Sequence, residues 1–110
     1  MTEAELQNAV CDLARHGGWL TMHTRPAQTA RGWRTPITGD PGYPDLTLAH
    51  PKHGIIIAEL KTDRGRCTPQ QNRWLDTLTT ATSDKVRIHL WRPADWPAIV
   101  NILTPGAKAA

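Results

Sequence analysis

The chain is poor in cysteine and has no long apolar run. Cys11 and Cys67 are its only two cysteines, and they fit neither a redox nor a zinc spacing. A disulfide framework is therefore not expected, and both read as reduced thiols of a cytosolic protein. The longest unbroken apolar run, Ile55 to Ala58, is far too short to cross a bilayer. A secretory leader is not expected, because Glu3 and Glu5 put acid into the first turn. No internal repeat, low-complexity block or second domain is visible. The expectation is one cytoplasmic domain over residues 1–103, large enough for a modest core, with a flexible tail at 104–110.

The charge is basic but unevenly placed. The formal net charge is +3, which suits a polyanionic partner without requiring one. Nine of the 13 basic residues are arginine, the side chain suited to bidentate phosphate contacts. Arg25, Arg31 and Arg34 fall in one segment; Lys61, Arg64, Arg66 and Arg73 fall around another.

The pattern predicts seven elements in the order α-β-β-β-α-β-α. Thr2 and Glu5 form a capping box, and Leu6, Val10, Leu13 and Ala14 make one helical stripe that Gly17-Gly18 ends. Residues 19–24 read as a strand and residues 25–42 as a polar loop. Residues 45–49 and 54–60 read as strands joined by a turn at 50–53. The second is apolar on both faces, which puts it at the sheet centre. Thr68 caps a helix with Pro69 at its first position, its Trp74, Leu75 and Leu78 facing in. Residues 86–91 read as a strand and 93–103 as a helix. The strands at 45–49 and 54–60 should be antiparallel, and the helical crossover to 86–91 should be parallel and right-handed.

Three residues carry the chemistry. Asp45 follows the Gly42-Tyr43-Pro44 turn at the start of one apolar segment. Glu59 and Lys61 close the next, and side chains two apart on a strand share a face. Pairing the two segments brings both carboxylates and the ammonium to one end of the sheet. That arrangement suits a hard divalent cation and a phosphodiester. Taken alone, the same residues also suit a structural ion pair.

The wider pattern resembles a known family. Asp45 with Glu59-x-Lys61 is similar to the PD-(D/E)xK nuclease signature. The chain resembles the virus-type replication-repair nuclease (VRR-NUC) family, in its small stand-alone phage and bacterial form. Glu3 with Leu6-Gln7, Gly42-x-Pro44-Asp45-Leu46 and Ala58-Glu59-Leu60-Lys61 carry the likeness. So do Gly65-x-x-Thr68-x-x-Gln71-x-x-Trp74-Leu75 and Trp91-Arg92-Pro93. The segment 25–40 departs from it by its length. The resemblance implies an α/β fold with a restriction-endonuclease-like core, a mixed sheet of about four strands flanked by helices. It implies a metal-dependent DNA endonuclease of phage or bacterial DNA replication or repair.

The resemblance also implies roles. Asp45, Glu59 and the Leu60 carbonyl would hold Mg²⁺ or Mn²⁺. Lys61 would orient water or stabilise transition-state charge. Gln71 would reach the site, whether or not it also boxes with Thr68. Of the first-helix acids, Glu3 lies on the inward stripe and is taken as the ligand, whereas Glu5 serves the cap. DNA contacts are expected from Arg31, Arg34, Arg64, Arg66 and Arg73. Trp33 suits an unpaired base or a fold onto the surface. His23 suits the scissile phosphate, a proton, or a half-buried strand position. Trp19, Trp74, Trp91 and Trp96 read as core. His50-x-x-His53 has a spacing zinc tolerates but lacks companion ligands. A homodimer fits branched or two-strand cutting. A Holliday-junction resolvase, and a non-catalytic DNA-binding or structural subunit of a phage replication or packaging complex, are the alternatives.

Overall fold

The computed structural model describes residues 1–24, 27–29, 32–34 and 38–105, with only the backbone of 27–29 and 32–34. Its elements run α1 (Glu3–His16), β1 (Leu20–His23), β2 (Ala27–Thr29), β3 (Gly32–Arg34), β4 (Leu46–His50), β5 (Gly54–Leu60), α2 (Pro69–Ala81), β6 (Val86–Trp91), a 3₁₀ turn (Pro93–Asp95) and α3 (Trp96–Leu103). It is a mixed α/β fold. The main sheet has the order β1-β4-β5-β6. β1–β4 and β4–β5 are antiparallel, and β5–β6 is parallel.

Local chemistry sets the helix starts. Glu5 N–H donates to Thr2 Oγ1 at 3.1 Å, and Thr2 N–H donates to Glu5 Oε1 at 3.0 Å. The same reciprocal pair, Thr68 with Gln71, opens α2 behind Pro69. Each box satisfies two donors that a helix start would otherwise leave open.

One face of the sheet carries the core. Leu6, Val10 and Ala14 of α1 are fully buried against Leu46, Leu48, Ile56 and Ala58 of the sheet and Ile99 and Leu103 of α3. Trp19 closes this layer, its indole N–H donating to the Leu103 carbonyl at 2.8 Å. The other face is shallower. α2 has no buried residue, and Leu20, Met22, Ile55 and Leu90 are exposed.

Three expectations change. The segment 25–42 is not all loop, since β2 and β3 pair antiparallel within it. Three-residue strands are too short to show an alternating pattern. Trp74, Leu75 and Leu78 do face inward, but only half-buried, because α2 covers the thinner side. Trp74 is therefore not core, whereas Trp19 and Trp91 are buried, and Trp96 is half-buried against the core. The final helix opens as a 3₁₀ turn, with Asp95 Oδ2 accepting from Arg92 N–H at 2.8 Å. Among the described residues, no helix is long and apolar enough to cross a membrane.

Candidate functional site

The site forms where β4 begins and β5 ends. Leu46 pairs with Ala58, so Asp45 lies across from Glu59, one step beyond the ladder. Asp45 Oδ2 accepts the Leu60 N–H at 2.9 Å, which locks the Gly42–Pro44 turn to the end of β5. Lys61 N–H continues the ladder by donating to the Trp91 carbonyl at 3.0 Å. Gly42 makes the approach possible. Its φ is +98°, and a Cβ there would stand 2.7 Å from the Gln70 carbonyl carbon in the first turn of α2.

Among the described residues Glu59 is the one buried charged side chain. It is 1 % exposed, and neither carboxylate oxygen has a hydrogen-bond partner. A buried acid without partners disfavours its charged form. Its pKa is pushed from 4.5 up to about 9, by burial first and then by the neighbouring Asp45 carboxyl; Lys61 opposes the shift. The acid therefore favours its protonated form at neutral pH.

Lys61 and Glu3 complete the arrangement. The Lys61 ammonium lies 3.9 Å from Glu3 Oε1, its side chain 13 % exposed against 52 % for Glu3. Glu3 thus meets the Lys61 ammonium from an exposed position and is not gathered with Asp45 and Glu59 into a group of three acids, whereas Glu5 is occupied by the cap, which lowers its pKa. Gln71 is committed through Oε1 to Thr68 N–H at 2.8 Å. His23 is half-buried, its Nδ1 2.9 Å from Gln7 Nε2. It pairs with Leu46 and so sits beside the start of β4.

The donor set fits a small hard cation. Among the described residues, no group of three His, Cys, Asp or Glu side chains is gathered to hold a metal ion. Mg²⁺ requires less, since it binds through one or two carboxylates and keeps several waters. The orphaned oxygens of Glu59, beside Asp45, provide that.

Residues that the sequence did not single out for a role hold the site's rim. Arg92 Nη1 donates to the Thr62 and Gly65 carbonyls at 2.6 and 2.7 Å. Asp63 Oδ1 accepts Ala94 N–H at 3.1 Å. The basic connection after Lys61 is thereby pinned to the segment after β6. The Arg92 in Trp91-Arg92-Pro93 was the available signal, but its partners are carbonyls about 30 residues away and no pattern reveals them. Cys67 is half-buried beside the site, burial raising its thiol pKa.

The remaining cations and aromatics divide. Arg64, Arg66 and Arg73 are exposed. Arg31 lies outside the described residues, as do the side chains of Trp33 and Arg34 and most of the tail. His50 and His53 sit at the opposite end of β5, ring centroids 4.4 Å apart. His50 Nδ1 accepts the Lys52 N–H at 3.1 Å.

Comparison with family models, with curated proteins and with solved structures gives no match.

Proposed function

We propose that the chain is a divalent-cation-dependent DNA endonuclease with a PD-(D/E)xK core, of the VRR-NUC type. The observation that carries this reading is Glu59. Its fully buried, unpartnered carboxylate lies beside Asp45, with Lys61 at the same strand end. A protein holds such a group at a cost to stability, and a bound cation removes that cost.

Asp45 and Glu59 would hold Mg²⁺ or Mn²⁺, which would supply charge neutralisation at a phosphodiester and a water of lowered pKa. Asp45 is oriented by the Leu60 N–H, and its carboxyl lies beside that of Glu59. Lys61 places a positive charge where negative charge grows on the phosphoryl oxygens, and Glu3 restrains that ammonium. Arg64 and Arg66, exposed on the pinned connection, would meet the phosphate backbone.

The test is cleavage of labelled linear, nicked, flapped and four-way DNA, with and without Mn²⁺, by the protein and by Glu59→Gln. Metal-dependent cutting that is lost in Glu59→Gln is expected. Cutting only of four-way DNA would make the chain a resolvase. DNA binding without cutting under any of these conditions would make it a binding module and end the nuclease reading.

A further inference from the structure

A second feature adjoins the site. A cleft of about 150 Å³ opens between the Asp40–Pro41 segment and α2, lined by Asp40, Pro41, Gln70, Arg73, Trp74 and Thr77. The volume lies well below the roughly 300–1,000 Å³ of pockets that enclose drug-sized molecules. It suits one planar ring system.

Two contacts hold the indole wall. Trp74 Nε1–H donates to the Asp40 carbonyl at 3.2 Å. Tyr43 meets the same indole edge-to-face, centroids 5.0 Å apart and planes at 82°. The indole is thus held from two sides and needs no ordering when a ligand arrives. The chemistry of the walls is mixed. Trp74 and Pro41 are flat and apolar, the Gln70 amide both donates and accepts, and the Asp40 carboxylate only accepts. Arg73 is exposed and brings a guanidinium to the rim. An anion alone would be repelled by Asp40, and a purely apolar guest would waste Arg73 and Gln70. A ring with exocyclic donors, joined to a phosphate, uses every wall.

The location fixes the relation to Asp45. Gly42 lies against the backbone of Gln70 and Gln71, and Asp45 follows it by three residues. Gln70 lines the cleft, and its neighbour Gln71 opens α2 toward the Asp45 turn.

We propose that this cleft is a nucleobase subsite. It takes one unpaired base on Trp74, with Arg73 on that nucleotide's phosphate, while an adjacent phosphate of the same strand reaches Asp45 and Glu59. The assignment deepens the nuclease reading and rests on it for the second phosphate. It makes the substrate a strand with at least one unpaired nucleotide beside the cut, not continuous duplex. Base-on-indole stacking accounts for selection by pairing state, and the Asp40 carboxylate adds a preference for bases that carry an exocyclic amino group over thymine.

The experiment is a metal-free titration of the labelled full chain, followed through its indole N–H signals, with the Trp74 signal assigned from Trp74→Phe. The ligands are the four deoxynucleoside 5′-monophosphates, a five-nucleotide single strand, a blunt duplex, and deoxyribose 5-phosphate as the base-free control. The Trp74 signal should move with the nucleotides and the single strand, while Trp19 and Trp91 stay in place. It should stay put with deoxyribose 5-phosphate and the duplex. Arg73→Ala should weaken the response roughly tenfold, the loss of one charge-assisted contact. An unmoved Trp74 signal, or an equal response to the base-free control, overturns the subsite. The metal-dependent cleavage assay separates the two readings. Cutting of flapped DNA with a silent Trp74 rejects the cleft and keeps the nuclease. A responsive Trp74 with no cutting keeps the nucleotide cleft and rejects its link to catalysis.

Discussion

The two ends of β5 handle buried polarity in opposite ways. At its start, Gly54 adopts φ +84° and lies so close to the Lys85 carbonyl that a Cβ would overlap it. Ile55 N–H donates to that same carbonyl at 2.8 Å, and the nearby imidazole of His50 accepts the Lys52 N–H. Trp19 packs on both histidines, centroids 5.2 and 6.1 Å away, and spends its own N–H on Leu103. There the polar groups named are satisfied and the packing is close. Five residues after Gly54, Glu59 is fully enclosed and has no partner for either oxygen. One end is built for stability; the other keeps an unsatisfied acid, which the proposed function assigns to a ligand rather than to the fold. Changes at the first end should cost folding and spare chemistry, and changes at the second should do the reverse.

The largest effect should come from the acid end. Asp45→Ala and Glu59→Ala should bring metal-dependent cleavage below detection with the circular dichroism of the fold retained. Persistent wild-type cutting in EDTA would break the comparison at once. At the other end, Gly54→Ala should lower stability by roughly 2–4 kcal/mol, from a disfavoured φ and a backbone overlap. Denaturant melts measure it, and a loss under about 0.5 kcal/mol would show that this end yields more easily than its packing implies.

The pH dependence sharpens the contrast. Glu59 titrates near 9 when folded against 4.5 ordinarily. The folded state therefore binds this proton more tightly than the unfolded chain. Its contribution is fully present below 4.5 and is lost as pH rises toward and through 9. Without divalent metal, the melting temperature of the wild type should fall across that window relative to Glu59→Gln. The variant should melt higher by several degrees at pH 8.5 and about equally at pH 4.5. Parallel curves would mean that Glu59 is charged and paired in solution.

A smaller effect separates the two acids of α1. Glu3→Gln should lower cleavage or raise the metal requirement with little change in melting, since Glu3 faces Lys61 and makes no cap. Glu5→Ala should cost about 1 kcal/mol or less of stability and leave cutting near normal. The opposite outcome would transfer the site role to Glu5. The smallest effect is at the rim. Arg64→Ala with Arg66→Ala should flatten the salt dependence of DNA binding by about one log–log unit per contact. An unchanged slope would put the backbone elsewhere.

The residues explain what the sequence could reveal. β5 and β6 are found at the bounds read from sequence, because each is an apolar run between turn residues. Both capping boxes are legible because they need only residues three apart. The pairing of Asp45 with Glu59 followed from one hairpin. The β2–β3 pair escaped because three-residue strands carry no period. The depth of α2 escaped because a half-buried stripe and a buried one have the same spacing. The complete burial of Glu59, the Arg92 clamp and the Trp74 cleft depend on distant segments meeting, which local pattern does not encode.

One measurement bears most directly on the claim that the unsatisfied acid belongs to a cation. It is the thermal melting of wild type and Glu59→Gln at pH 7.5 as Mn²⁺ is raised, with calcium-free, EDTA-treated protein as the start. A site-bound ion stabilises in proportion to RT ln(1 + [L]/Kd), so a hundredfold excess over Kd adds about 2.7 kcal/mol. The wild type should climb by several degrees and Glu59→Gln should stay flat, although the variant starts higher. Equal climbs in both proteins, or no climb in the wild type, would contradict the account.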